Sequence, residues 1–358
     1  MINFLLKRIF YGFLVFLGVV ILVFFLFNVL PGDPARMMLG QRNDKASIDA
    51  INKDLGRNKP LFTQFIAYLN DISPLSVHSI KASSYWYLDN NKYSPYYKLI
   101  SISEKSLVLK QPYLRRSYQT KKKVSEIITE AFPATFILAT VSIIFAIIFG
   151  VFIGVLCAVY KDRLFDKLSL VLSVFGMSLP SFFAAILFAW IFAFLLADVT
   201  GLNMFGSLYT IDDFGNFEYI NIKNLILPAF TLGIRPLAII IELTRSSMLE
   251  VLSQDYIRTA KAKGLSFRNI VFKHALKNAM NPVITAISGW FASMLAGAVF
   301  IEYVFDWKGI GIVIVDALEK YDFPVLMGTV LFISIILVII NIFVDVLYGV
   351  IDPRVRIL

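Results

Sequence analysis

Six apolar stretches, each long enough to cross a bilayer, constrain this 358-residue chain more than any other feature. They lie near residues 9–30, 132–160, 168–197, 224–243, 282–305 and 324–350. About 20 apolar residues in a helix span a hydrocarbon layer of about 30 Å. Inside lipid the backbone must satisfy its own hydrogen bonds, which helices do locally. The expected fold class is therefore all-α: a polytopic membrane protein with six transmembrane helices. A composition of 58% hydrophobic and 16% charged residues, more apolar surface than a soluble core hides, agrees. Lys7 and Arg8 before the first stretch resemble the start of a signal peptide, but the run is too long for one and no small-residue cleavage site follows, so it is expected to stay as the first span.

Six spans put both termini on one side. Lys7 and Arg8, then Lys161, Arg163 and Lys167, then the basic stretch 245–277, then Arg354 and Arg356 all fall on the same face. The positive-inside rule makes that face cytoplasmic, with N- and C-termini inside. The net charge of +9 thus sits in loops beside apolar runs, which fits contact with membrane lipid and gives no nucleic-acid footprint. The single Cys157 excludes an intramolecular disulfide and a cysteine metal site.

The simplest division is residues 1–30 as N-terminal segment and first span, 31–128 as an extracytoplasmic region, and 129–358 as a core of five spans. In the outer region a helix is expected over 45–55 with Gly56 as its stop, then another over 60–69. The part at 73–113 differs in composition, with Trp86 among Tyr85, Tyr87, Tyr93, Tyr96 and Tyr97. It reads either as an insertion resting on the membrane interface, where Tyr and Trp concentrate, or as a docking surface for a substrate-delivery protein. Residues 306–323 are too polar and short to span and are expected to form an external helical segment.

The cytoplasmic loop 245–281 carries the most specific signal. A helix is expected to begin near Asp255 with Ser253 as N-cap, to end at Gly264 through a positive φ, and to be followed by a second helix capped by Ser266. Tyr256, Ala260 and Lys263 share one side, so a small residue lies between an aromatic and a basic group. Spacing alone favours an amphipathic helix on the membrane surface. The other reading is a stiff lever inserted into a partner, with Ala260 allowing close approach.

The stretch Asp255-Tyr-Ile-Arg-Thr-Ala-Lys-Ala-Lys-Gly-Leu265 resembles the EAA loop of bacterial ABC importers in the form used by the oligopeptide and dipeptide permease family. Arg258-Thr259-Ala260 stands for the small-residue triplet, Gly264 for its glycine and Pro282 for its proline, while the Glu-Ala opening is absent. Leu30-Pro-Gly-Asp-Pro-Ala35, Ser178-Leu-Pro-Ser-Phe182, Ile301-Glu-Tyr-Val-Phe305 and Asn341-Ile-Phe-Val-Asp345-Val-Leu-Tyr348-Gly-Val-Ile-Asp352-Pro353-Arg354 resemble that family too. Residues 73–113 depart from it, as does Lys308 before Gly309, where the family usually has proline.

The resemblance implies an ABC type I importer permease fold in the bacterial inner membrane. It implies a second homologous permease subunit, two cytoplasmic ATP-binding subunits that carry ATP and Mg, and an extracytoplasmic substrate-binding protein or lipoprotein. The substrate would be peptides or a similar small solute. It assigns ATPase coupling to Asp255, Tyr256, Arg258, Thr259, Ala260, Lys263, Gly264 and Leu265, and makes 306–323 an external gate element.

Ionisable or polar groups inside apolar runs are functional candidates because burying them is costly. Asn341 and Asp345, with Ser178, Pro180 and Glu302, are the candidates for the pathway or a gate. Asn341, Asp345 and Tyr348 also suit a structural polar seam between helices, and Arg235 and Glu242 suit pairing inside the bundle. His78 and His274 are the only histidines and fall on opposite sides in this topology, so no histidine metal site is expected. Gly309 and Gly311 form only a loose Gly-x-Gly, and no Gly-x-x-x-x-Gly-Lys-Ser/Thr stretch occurs. No enzyme activity, catalytic residue, cofactor or metal is therefore expected of this chain itself. The competing functions are an ion-coupled secondary transporter, and a membrane receptor or scaffold using the Tyr-rich insertion.

Overall fold

A computed structural model describes residues 2–29, 58–212 and 217–351. The expected helix 45–55, Gly56, and the motifs beginning at Leu30 and ending at Arg354 lie wholly or partly outside the described residues. The helices that form the bundle and position its loops are α1 (Ile2–Val29), α2 (Leu61–Ile72), α3 (Val124–Val159), α4 (Leu164–Ser178), α5 (Ser181–Phe188), α6 (Lys223–Leu252), α7 (Asp255–Ala262), α8 (Leu276–Gly297), α9 (Val299–Phe305), α10 (Ile310–Glu319) and α11 (Phe323–Ile351).

Among the described residues four segments, Leu5–Leu26, Val124–Val159, Lys223–Leu252 and Phe323–Val346, are single helices long and apolar enough to cross a membrane. The third and fifth apolar runs are not straight. In the third, α4 and the helix that follows it, Ser181–Leu195, meet at 111°; in the fifth, Phe267–Leu295 and α9 meet at 56°. Pro180 accounts for the first break: it has no N–H to continue α4 and sits at φ −58°, ψ 136° as the entry to α5. A π-helical stretch, Ala189–Leu195, lies within the third run, and another, Ile270–Ala275, precedes the fifth. Counting each bent pair as one span restores six.

The chain divides into two compact units. The first comprises Met1–Leu14, Ala131–Ile312 and Ile335–Leu358. Its core gathers Leu138, Ala139, Ala185, Met294, Ile301, Phe305 and Trp307. Lipid already solvates apolar side chains, so close backbone packing has to hold such helices together. A stripe of small residues at four-residue spacing on α3, Ala146, Gly150, Gly154 and Ala158, supplies it. A Cβ on Gly154 would lie 2.6 Å from Thr244 Cβ and 2.8 Å from the Ile241 carbonyl of α6, so glycine sets the distance between these helices.

The second unit comprises Val15–Glu130 and Val313–Ser334. Val20, Val23, Phe24, Tyr68, Met327 and Leu331 form its apolar core. The insertion at 73–113 carries a three-stranded antiparallel sheet, the larger of two small sheets in a mostly helical chain. Strands β1 (Leu75–Ser79), β2 (Tyr96–Ile102) and β3 (Lys105–Lys110) lie in the order β1-β3-β2, with Leu75 opposite Leu109 and Tyr96 opposite Lys110. Ser106, Val108 and Lys110 alternate inward along β3, the period of a half-buried strand. Lys110 is satisfied there: Nζ donates to the Asp71 carbonyl at 2.5 Å and lies over the Tyr93 ring. Asp322 ties the residues before α3 to the start of α11, accepting from Ser117 Oγ at 2.5 Å and Tyr118 N at 3.0 Å.

Candidate functional site

The expected short helix is α7, eight residues long, and its two faces differ. Ile257 and Ala260 point inward, against Met248 of α6, Ile270, Val271 and Ala275 of the π stretch, Ala279 of α8 and Val155 and Ala158 of α3. Ile257, Met248 and Ala275 are wholly buried. Asp255, Tyr256, Arg258, Thr259, Lys263, Gly264 and Leu265 are exposed. Ala260, only 7% exposed, is small because it packs on the chain's own core. That corrects the expectation that its size admits an outside surface.

The C-terminal end of α7 is a Schellman cap. Gly264 has φ +78°, its N–H donates to the Lys261 carbonyl at 3.0 Å, and the Leu265 N–H reaches the Ala260 carbonyl at 3.3 Å. Nothing lies within 4 Å of where a Gly264 Cβ would stand, so backbone conformation rather than crowding requires glycine there.

The N-terminal end differs from expectation. Gln254 is the N-cap and makes no side-chain cap bond; Ser253 instead closes α6, its Oγ donating to the Glu250 carbonyl at 2.7 Å. Asp255 sits in the first turn, where a carboxylate suits the helix dipole, and Arg258 lies 3.3 Å from it. Thr259 Oγ1 donates back to the Asp255 carbonyl, and Tyr256 Oη accepts from Asn278 Nδ2 at 2.9 Å, which fixes its ring against α8. Ser266 does occupy the next N-cap, without a side-chain cap bond.

Two features of this region escape inspection of the sequence. Phe267 and Phe272 stand more than half exposed beside Leu265, giving the turn an apolar tip amid Arg258, Lys261, Lys263, Arg268, Lys273 and Lys277. Six exposed cations against Asp255 make the site strongly basic. The second feature is Asp166, its side chain 1% exposed. It receives Nε of Arg245 at 2.5 Å and Nη2 at 2.7 Å, and the Asp162 N–H at 2.9 Å. This bidentate pair clips the start of α4 to α6 about two turns before α6 ends at Leu252. Only the basic residues flanking Asp166 were conspicuous in the sequence.

The pathway candidates separate. Asp345 on α11 pairs with Arg8 on α1 at 3.2 Å, while Asn341, one turn earlier, is exposed. Ser178 Oγ bonds the Val174 carbonyl at the last turn of α4, just before the Pro180 break. Glu302 is fully buried: it accepts from Thr135 Oγ1 and the Gly311 N–H, each at 2.6 Å. Thr135 Oγ1 in turn accepts from the Ile310 N–H at 2.8 Å. A Cβ on Gly309 or Gly311 would overlap the Glu302 carboxylate, so these glycines make room for a buried acid. Arg235 and Glu242, expected to pair inside the bundle, are exposed, Arg235 reaching only the Met177 carbonyl at 3.4 Å.

These features, bent apolar helices around a small-residue core and an exposed capped helix in a basic loop, define a helical membrane protein. Among solved structures the fold is that of the MetNI methionine ABC transporter in an inward-facing form, with a TM-score of 0.51 at 15% identity over 64% of this chain and 97% of that one. The chain belongs to the family described as binding-protein-dependent transport system inner membrane component, whose model matches residues 150–357; the companion model for the N-terminal part matches residues 1–82. It is an ABC importer permease subunit. Similar relatives include the di/tripeptide transport system permease protein DppB of Pseudomonas aeruginosa (strain UCBPP-PA14), 33% identical over 99% of both chains. The dipeptide transport system permease protein DppB of Alkalihalophilus pseudofirmus is 34% identical over 96% of both, and the glutathione transport system permease protein GsiC of Salmonella paratyphi A 34% over 99% of both.

Proposed function

We propose that the chain forms half of the translocation pathway of an ATP-driven importer of short peptides and related small solutes. A homologous second permease subunit supplies the other half, two cytoplasmic ATPase subunits bind ATP and Mg, and an extracytoplasmic binding protein or lipoprotein delivers the solute. Both termini lie in the cytoplasm. The permease itself performs no hydrolysis.

The observation that carries this reading is the asymmetry of α7. One face is locked into the core that joins α3, α6 and α8, and the other offers Tyr256, Arg258, Thr259, Lys263 and Leu265 around a capped turn. A helix adsorbed to lipid would need its apolar face free for the membrane. Here Ile257 and Ala260 are already consumed, so the free face suits a protein groove with acidic walls. Closure of the ATPases would then push a rigid element and switch the bundle between inward- and outward-facing states. The relatives named for dipeptide, di/tripeptide and glutathione transport support the substrate class.

The test is to produce Arg258→Glu and Leu265→Asp with the neighbouring transport subunits. Both positions are exposed, so the permease should insert and fold normally while ATPase co-purification and peptide uptake drop. Full uptake by both variants would overturn the coupling role.

A further inference from the structure

The second unit contains a half-open cavity of about 380 Å³, which the proposed topology places outside the cytoplasm. That volume suits a small molecule. Its walls include Tyr85, Trp86, Tyr93 and Tyr113, with the last two rings edge-to-face at 5.3 Å. Four cations line it against two carboxylates.

The carboxylates are committed internally. Asp71 lies 3.7 Å from Arg115 Nε and accepts from Tyr93 Oη at 2.8 Å; Asp89 accepts from the Asn91 N–H at 2.8 Å as a helix cap. Among the described residues Lys92, Arg116 and Lys121 have no carboxylate within ion-pair distance. Arg116 gathers the rim: Nη1 donates to the Lys121 carbonyl at 3.1 Å and Nη2 to the Asn91 carbonyl at 3.4 Å. The segments bearing Lys92 and Lys121 are thereby held beside one guanidinium, which still has donors to spare.

We propose that this cavity is a binding site for a small carboxylate carrying an apolar or aromatic group. Lys92, Arg116 and Lys121, none of them in an ion pair among the described residues, give charge-assisted hydrogen bonds to an anion, and the aromatic walls take the attached group. The cationic excess disfavours an amine, and no metal-ligating cluster of three or more His, Cys, Asp or Glu exists among the described residues. The carboxylate can be that of a free solute or the acidic side chain of a delivered protein loop. The site goes beyond the coupling function and is tested without ATPase, so its failure leaves the transport reading standing.

The experiment is calorimetric titration of the full-length chain in lipid nanodiscs. N-acetyl-phenylalanine, whose only charge is a carboxylate, is compared with N-acetyl-phenylalaninamide and with the capped peptide acetyl-Phe-Glu-Phe-amide. At least one carboxylate should saturate the site, with the neutral amide at least about tenfold weaker. Binding of the free acid alone assigns a solute site; binding of the capped peptide alone assigns a loop site; both support carboxylate recognition. Lys92→Gln with Lys121→Gln should weaken binding at least about tenfold. Neither side chain is fully buried, so the fold should persist, and Lys98→Gln, outside the cavity, should change nothing. Equal binding of acid and amide, equal binding by the double variant, or no saturable binding of either carboxylate overturns the proposal.

Discussion

Replacing Gly264 with asparagine, alanine and valine separates backbone strain from every other effect at the turn proposed to couple the chain to its ATPases. The residue sits at φ +78° with open space where a Cβ would go, so substitution adds no clash. An L-residue in that region costs about 1–2 kcal/mol; asparagine costs less because its short polar side chain bonds locally, and a β-branched valine costs more. The two cap bonds, from Gly264 to Lys261 and from Leu265 to Ala260, are at risk as well. Both donors belong to exposed residues, so water can replace the lost partners and the bonds add little beyond the strain. A cost of about 1–2 kcal/mol lowers the population holding the turn roughly 5- to 30-fold against competing loop conformations. Substrate-stimulated ATP hydrolysis of the assembled transporter in nanodiscs should therefore rank Gly, Asn, Ala, Val in falling order. Global stability should hold, and a thiol-reactive dye reads it cleanly because Cys157 is the only cysteine and is buried. Valine with glycine's coupled activity, or asparagine falling as far as valine, would refute the reasoning.

Asp166→Asn and Arg245→Gln should each destabilise the first unit. Cutting a fully buried pair costs about 3–5 kcal/mol, but Arg245 is partly exposed, so about 2–3 kcal/mol is expected; a double-mutant cycle without coupling would refute the clip. Gly311→Ala should cost about 1–3 kcal/mol by overpacking, because its Cβ would fall 2.6 Å from Val299 Cα and 2.7 Å from Glu302 Oε2. Gly289→Ala, with nothing within 4 Å, is the control; equal dye-monitored melting of the two would count against it. In the sheet, burial first and the Lys110 charge second push the His78 pKa down to about 4 from 6.5. Between those values the unfolded chain takes a proton the folded sheet refuses, so sheet stability should fall as pH drops from 6.5 towards 4. Buried Asp71, whose carboxyl is pushed up, works against this slope. Pulse proteolysis should show the fall in the natural sequence and a shallower one in His78→Gln; identical slopes would exclude His78 as the cause.

Hydropathy made the spans legible because each apolar run is long, but it reports length and not direction. The 111° break at Pro180 leaves the third run just as apolar as a straight helix would be. The turn at Gly264 was legible because its chemistry is local: a glycine after a basic helical segment needs no tertiary partner to cap it. Ser253 failed as a cap for the converse reason, since α6 runs on to Leu252 and the α7 start falls at Gln254. The Ala146-Gly150-Gly154-Ala158 stripe was present in the sequence as a small-residue repeat and marks the α6 contact. In sequence Glu302 stood out as an acid inside an apolar run and hence as a pathway or gate candidate, with nothing to show what it bonds. Its partners Thr135 and Gly311 are remote in sequence or lie beyond a turn, so the closed arrangement exists only after folding.

The direction in which Ala260 faces decides how the proposed coupling works. Were its small side chain the contact surface, force would enter through a loose helix touching its partner at one point. Instead Ala260 and Ile257 are sealed against Met248, Ile270, Val271 and Ala275, all wholly buried or nearly so. Packed interiors have low compressibility and transmit strain. A push on the exposed cations and on Leu265 therefore moves α7 together with the ends of α6 and α8. Through Asp166 and Arg245, α6 also carries the start of α4, whose far end is the Pro180 break. Under the proposed coupling, force applied at Gly264 would thus reach the Pro180 break, where the third run bends by 111°. If the clip transmits that motion, cutting it should leave ATPase binding intact while lowering uptake per ATP hydrolysed. A loss of ATPase binding instead would mean that the clip serves only to hold α7 in place.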